Sequence, residues 1–267
     1  MRRFYTFLMS LFMRELDNKD LGRSTIVFSP HPDDETLGCG GTIIKKKRTG
    51  ANVKIIFMTD GGQSHPHLIS AKELKSIRAN EAVAANRILG VEEKDVFFLE
   101  FEDTKLNKNK NSAELKVIEI LLHEEPDEIF IPYHRDKHSD HIATNEIVLS
   151  ALQTCGKKVI IYEYPLWIWN HWPWVPARAS FKPGFSLLID FHCSIYIADN
   201  LHQKRAALEQ YKSQMMQLIP DPKWWTLSDI SNGEFLKCFF QDHEIFHRYI
   251  FSGKNAFPYS YQRSQIP

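Results

Sequence analysis

Short apolar runs alternate with longer segments of helical spacing through the first 163 residues of this 267-residue chain, and that alternation dictates parallel βαβ units. Ser24–Ser29, Val53–Thr59, Val96–Phe101, Glu128–Ile131 and Val159–Tyr162 read as five strands. Between them Thr36–Arg48, Ile69–Leu89, Ser112–Glu124 and about Ser139–Thr154 read as helices, with Gly50, Gly90 and Pro126 marking turns. Parallel strands need crossovers, and those helices cover both faces of the sheet. The expected fold is α/β, a Rossmann-like three-layer sandwich with a mainly parallel sheet over residues 20–163. The length suits a single domain over 1–267, with residues 164–267 as a C-terminal elaboration that shapes a substrate site.

Beyond residue 163 the pattern changes. Tyr164–Trp174 is dense in aromatics and proline; the alternating Trp167, Trp169, Trp172 and Trp174 suit a sugar-stacking platform as well as a packed core or a dimer interface. Trp224-Trp225 carries the same two readings. Ser186–Asp190 reads as a strand, Asp199–Leu218 as a helix capped by Asp199, and Glu234–Phe246 as a short helical tail. Phe4–Met13 is too short to span a bilayer and is followed by no small-x-small cleavage site, so it reads as an amphipathic helix lying on the domain, with no transmembrane segment. Lys plus Arg equals Asp plus Glu at 33 each, and no global field recruits nucleic acid or an anionic membrane. Four cysteines without a C-x-x-C pair suit a reduced, cytoplasmic setting.

The chemistry concentrates at two strand ends. His31-Pro32-Asp33-Asp34-Glu35 follows the first strand, where open α/β sheets bind ligands. Imidazole nitrogen and carboxylate oxygen are zinc ligands, and a catalytic zinc keeps three protein ligands and a water. His31 and Asp34 turned inward together leave Asp33 free to act on that water. The third ligand must come from another strand end, and Tyr133-His134-Arg135-Asp136-Lys137-His138-Ser139-Asp140-His141 follows the fourth. In the strand order 3-2-1-4-5 the first and fourth strands are neighbours, so the two clusters meet across one crevice. Taken singly, an HPD triplet is a turn with Asp33 capping a helix, and the second cluster is a solvated loop. Gly38-Cys39-Gly40-Gly41 lies on the helix and not in the strand-to-helix turn, so it serves helix packing and not a dinucleotide.

The paired motifs resemble the PIG-L/LmbE-type zinc deacetylase family, which carries an HPDD-type motif after the first strand and D-x-H-x-D-H after the fourth. The resemblance extends to Thr59-Asp60-Gly61, to Arg78-Ala79-Asn80-Glu81 and to Asp103, and later to a helix around Lys204–Gln214. It implies that His31, Asp34 and His141 hold zinc, with iron(II) or another divalent ion as the alternative. It also implies Asp33 as general base, His138 as oxyanion stabiliser or proton donor oriented by Asp140, and Arg78, Asp60 and Asp103 as substrate contacts. Ser139 stands where many members carry proline, at a position that supplies no ligand. The implied activity is removal of acetyl from an N-acetylated amino sugar or its conjugate. Hydrolysis of another amide and a catalytically silent sugar-binding module are the alternatives; a homo-oligomer is left open.

Overall fold

The computed structural model describes residues 14–16, 18–171 and 190–253. The readings of Phe4–Met13 as a helix and of Ser186–Asp190 as a strand lie outside these residues, Asp190 excepted, as do Trp172 and Trp174. Among the described residues an eight-stranded sheet runs β1 (Arg14–Glu15), β7 (Cys193–Tyr196), β8 (His243–Phe251), β6 (Val159–Tyr164), β5 (Glu128–Pro132), β2 (Thr25–Ser29), β3 (Val53–Thr59) and β4 (Val96–Phe101). Strands β4-β3-β2-β5-β6 are all parallel to their neighbours, which is the order 3-2-1-4-5 expected of the first five strands.

Side chains alternate across this sheet as strand geometry requires. Val27, Phe57, Phe130 and Tyr162 enter one core with helix α1 (Asp34–Arg48), helix α2 (Ala71–Leu89) and the C-terminal elements. Ile26, Phe28, Ile56, Met58, Ile129 and Ile161 enter the other, against α3 (Lys110–Glu124) and α4 (Ser139–Cys155). Both faces are dry, so these strands read as continuous apolar runs.

Helix α1 lies very close to the sheet and to the C-terminal part. A Cβ on Gly38 would fall 2.5 Å from the Tyr164 ring, and one on Gly41 would fall 2.6 Å from Ile197 Cβ. The glycines therefore pack this helix, as their position on it suggested. Two expectations fail in the C-terminal part. The helix read over Asp199–Leu218 breaks into α5 (Leu201–Leu208) and a turn, α6 (Lys212–Met215), and Asp199 is not its cap. The break turns Tyr211 inward, where its ring is fully buried. The tail read over Glu234–Phe246 is one helical turn, α7 (Glu234–Lys237), followed by the nine-residue strand β8. That strand pairs antiparallel with both β6 and β7, so the elaboration extends the sheet. Cross-strand pairing decided this segment over its helical spacing.

Candidate functional site

The turn between β2 and α1 carries His31, Asp33 and Asp34, and the loop between β5 and α4 carries Asp136, His138, Asp140 and His141. Because β2 and β5 are neighbours, the two segments face each other. Three donor atoms form a near-equilateral triangle: His31 Nδ1 to Asp34 Oδ2 is 3.1 Å, His141 Nε2 to Asp34 Oδ2 is 3.2 Å, and His141 Nε2 to His31 Nδ1 is 3.3 Å. Donors about 2.1 Å from a common ion stand roughly 3.4 Å apart in a tetrahedron and about 3.0 Å apart in an octahedron. The triangle falls between the two.

The outer nitrogens are held as well. His141 Nδ1 meets Asp136 Oδ2 at 3.1 Å, and His31 Nε2 meets Asp103 Oδ1 at 3.2 Å and Asp140 Oδ2 at 3.4 Å. A carboxylate on the far nitrogen fixes the proton there and leaves the near lone pair for a cation. Burial disfavours charge on His31, yet Asp103, Asp140 and Asp34 raise its pKa well above the ordinary value. Against the same burial, Asp34 and Asp136 push His141 up to about 9. Burial works against the Asp34 anion too, but His141 and His31 hold its carboxyl well below the usual range. The aspartates at 33, 34, 103, 136 and 140 converge here with one arginine, Arg78, and such a negative pocket calls for a cation.

Asp33 stands apart from the triangle. Its backbone has φ 123° and ψ −28°, a left-handed conformation costly for a residue with a Cβ. Its Oδ2 lies 3.2 Å from Arg78 Nη2. Burial pushes its carboxyl up to about 8, while Arg78 pulls the other way. His138 caps α4: its Nδ1 accepts from the Asp140 backbone N–H at 3.3 Å, which leaves the proton of the neutral ring on Nε2. Burial and the neighbouring His31 and His141 lower its pKa to about 4.

A cavity of about 410 Å³ opens over this cluster, lined by Asp33, Arg78, Asp103 and His138 among others. Two placements differ from the expected roles. The Asp140 carboxylate accepts from the N–H groups of Thr104 and Leu106 and faces His31, so the contact between Asp140 and His138 is made by the backbone. Asp60 is absent from the described cavity wall; its Oδ1 accepts from the Gly62 and Asp103 N–H groups and braces the loop after β3. Arg78 lines the cavity and donates to Pro32 O and Gly61 O, while Glu81 accepts from Ser213. Asp103 does line the cavity, between His31 and the Gln63 N–H. His65 is buried and stacks on Trp224 at 4.1 Å.

Sequence reasoning did not single out Asp136, Glu35 or Tyr211. Glu35 Oε2 accepts the Asp33 N–H at 3.1 Å, and Glu35 Oε1 accepts from the Tyr211 hydroxyl at 2.5 Å. Asp136 opens the D-x-H-x-D-H motif, which is the signal that would have found it. Tyr211 lies too far along the chain for any local signal.

A family model described as PIG-L, GlcNAc-PI de-N-acetylase, matches residues 26–152, the stretch holding both motifs. A diacetylchitobiose deacetylase of Thermococcus kodakarensis is 28% identical over 138 residues, covering 50% of this chain and 51% of that protein. A probable N-acetyl-alpha-D-glucosaminyl L-malate deacetylase 2 of Bacillus anthracis is 28% identical over 138 residues, covering 49% of this chain and 60% of that one. The chain matches the PIG-L/LmbE-like family over residues 26–152, just under half of its length. It spans about half to three-fifths of the length of those two family relatives. The fold match extends further: the structure of N,N'-diacetylchitobiose deacetylase from Pyrococcus horikoshii aligns with a TM-score of 0.65 at 23% identity, covering 94% of this chain and 92% of that one. No described helix is long and apolar enough to cross a membrane.

Proposed function

We propose that this chain is a metal-dependent N-deacetylase that hydrolyses the acetamide of an N-acetylated amino sugar or its conjugate. The observation that carries the reading is the triangle of His31, Asp34 and His141 with a separate carboxylate, Asp33, beside it. Metal binding alone has no use for that second carboxylate. The activities named for the two family relatives, on diacetylchitobiose and on an N-acetylglucosaminyl malate, support the substrate class.

His31, Asp34 and His141 would hold the ion, and a His₂Asp set suits zinc, or iron(II) in its place. When bound, such an ion supplies Lewis acidity and a water more acidic than bulk water. Asp33, kept in place by Arg78 and by the Glu35 carboxylate on its N–H, takes the proton from the attacking water. His138, with its proton on Nε2, donates to the carbonyl oxygen as charge develops there. The leaving amine needs a proton, and Asp33 carries one after the first step. Arg78 and Asp103 line the cavity and would meet sugar hydroxyls; Asp60 would act one step back, through the loop it braces.

Elemental analysis and acetate release together test the reading. The wild type should hold about one zinc or iron per chain and release acetate from N-acetylglucosamine conjugates. Asp34→Ala should lose the metal. Asp33→Asn should keep it and lose roughly 10²- to 10⁴-fold in turnover, the usual worth of a general base. A metal-loaded wild type that releases no acetate from a panel of N-acetyl sugars would refute the proposal.

A further inference from the structure

The cavity over the cluster has two chemically different halves. Around Asp33 lie Arg78, Gln63, Ser64, Asp103 and Thr104. Leu37, Leu166, Trp167, Leu227, Ile230 and Phe235 make the apolar part of the lining, with Thr226 and Gln214 beside Leu227. The two meet at His138, whose ring lies 6.5 Å from the Trp167 indole at an interplanar angle of 27°. Trp167 in turn stacks on Phe235 at 5.2 Å. We infer that the apolar half is a subsite for an alkyl or aryl aglycone carried by the amino sugar. The inference rests on the N-deacetylase reading, because it takes His138 as the place where the sugar ends and the aglycone begins.

The apolar half is held in shape. Ser231 Oγ donates to Asn170 Oδ1 at 2.6 Å and ties the loop bearing Ile230 to the turn bearing Trp167. Ser231, Asn232 and Gly233 follow one another at φ 51°, 53° and 79°, a left-handed turn that links Ile230 to Phe235. Two non-glycine residues in that conformation persist only where their surroundings determine it.

The lining also excludes other aglycones. Arg78 is the one Lys or Arg among the described lining residues, and its Nη groups donate to Pro32, Gly61 and Asp33. A carboxylate-bearing aglycone therefore finds no counter-charge in the apolar half. A second sugar or other polyol finds Thr226, whose N–H and hydroxyl both donate to Asp229, and Gln214, whose amide NH₂ already donates to Ser64 and Ser213. Its remaining hydroxyls would give up water without replacement. An alkyl or aryl group gives up nothing and buries apolar surface. The apolar surface continues outward from the mouth. Trp225 lines the cavity yet is 66% exposed, and the loop it shares leaves Met216, Leu218 and Ile219 exposed too.

The test compares the methyl, hexyl and phenyl glycosides of N-acetylglucosamine with N,N'-diacetylchitobiose on the metal-loaded wild type. Acetate release and equilibrium binding are both measured. The hexyl and phenyl glycosides should exceed the methyl glycoside and the disaccharide at least roughly tenfold in kcat/KM and in affinity, a modest share of the transfer value of the added carbons. Trp167→Ala should bring the hexyl-to-methyl ratio down toward one. Trp225→Ala removes an exposed ring that the core does not need, and should lower the same ratio. Equal binding of all four ligands, or preference for the disaccharide, overturns the subsite. Binding decides the matter even if no acetate appears: tenfold tighter hexyl binding without turnover would sink the deacetylase reading and leave the apolar subsite standing.

Discussion

Asp33 shows how one residue is held in a conformation it would not choose. Its N–H donates to Glu35, its carbonyl accepts the Leu37 N–H at 2.9 Å, and its carboxylate meets Arg78. Glu35 is fully buried, and burial raises its pKa against the Thr36 and Tyr211 hydroxyls that bond it. Tyr211 is therefore a positioning residue acting on Asp33 through Glu35. Tyr211→Phe removes that hydroxyl while leaving the ring and the metal triangle in place. We expect kcat to fall about tenfold with KM and metal content little changed, as loss of one orienting contact predicts. Steady-state kinetics beside elemental analysis checks this; a drop in thermal stability with kcat unchanged would mean that the hydroxyl serves only the fold.

At the scale of elements, helix α1 is the joint of the molecule. Its N-terminus holds Asp34, and its middle carries the glycines against Tyr164 and Ile197. There the helix amides of Gly41 and Thr42 donate at 2.8 Å to Glu244 of β8, and Lys204 of α5 donates at 2.8 Å to the Leu37 carbonyl and to Glu244. A buried ion pair thus enters the helix ladder and ties it to the C-terminal elements. Gly41→Ala would put a methyl 2.6 Å from Ile197 Cβ, an atom close to the backbone with little room to yield. Overpacking of this kind costs about 1–3 kcal/mol. Urea denaturation should show that loss, and a variant as stable as wild type would mean that α1 can shift off the sheet. Lys204→Met should cost more, roughly 3–5 kcal/mol, because it leaves the Glu244 carboxylate buried without its cation.

At the scale of the whole molecule, Glu163 joins the parallel core to the antiparallel extension. It is fully buried on β6 and accepts from His134, Asn145, His247 and Tyr249, which come from the β5–α4 loop, α4 and β8. Burial opposes its charge, but His134 and His247 hold its pKa well below the usual carboxylate range. A carboxyl whose folded pKa is depressed contributes stability that is present above its unfolded pKa of about 4.3 and lost as pH falls through the lower folded value. Wild type should therefore be more stable than Glu163→Gln at pH 7 and pH 5, by roughly 1–3 kcal/mol. That margin should shrink as pH falls below about 4. Denaturant titrations across this range test the sign, and a margin that grows toward acid would contradict it.

Five strands, four helices, the 3-2-1-4-5 order and the meeting of two His/Asp clusters were legible in the sequence, because each follows from a local period or from the right-handed crossovers of βαβ units. The metal candidates His31, Asp34 and His141 come from two short motifs at neighbouring strand ends, and the structure brings their donor atoms within 3.1–3.3 Å. The tertiary structure alone decided the rest. Helical spacing could not reveal that His243–Phe251 closes onto β6 and β7, because pairing partners 84–92 residues away on β6 and 47–53 away on β7 set that strand's conformation. Nor could it show that Tyr211 reaches Glu35, that Asp140 turns its carboxylate to His31, or that Ile230 and Phe235 complete a cavity begun by Asp33. These contacts join segments far apart in the chain, and side-chain packing, which leaves no period in the sequence, selects them.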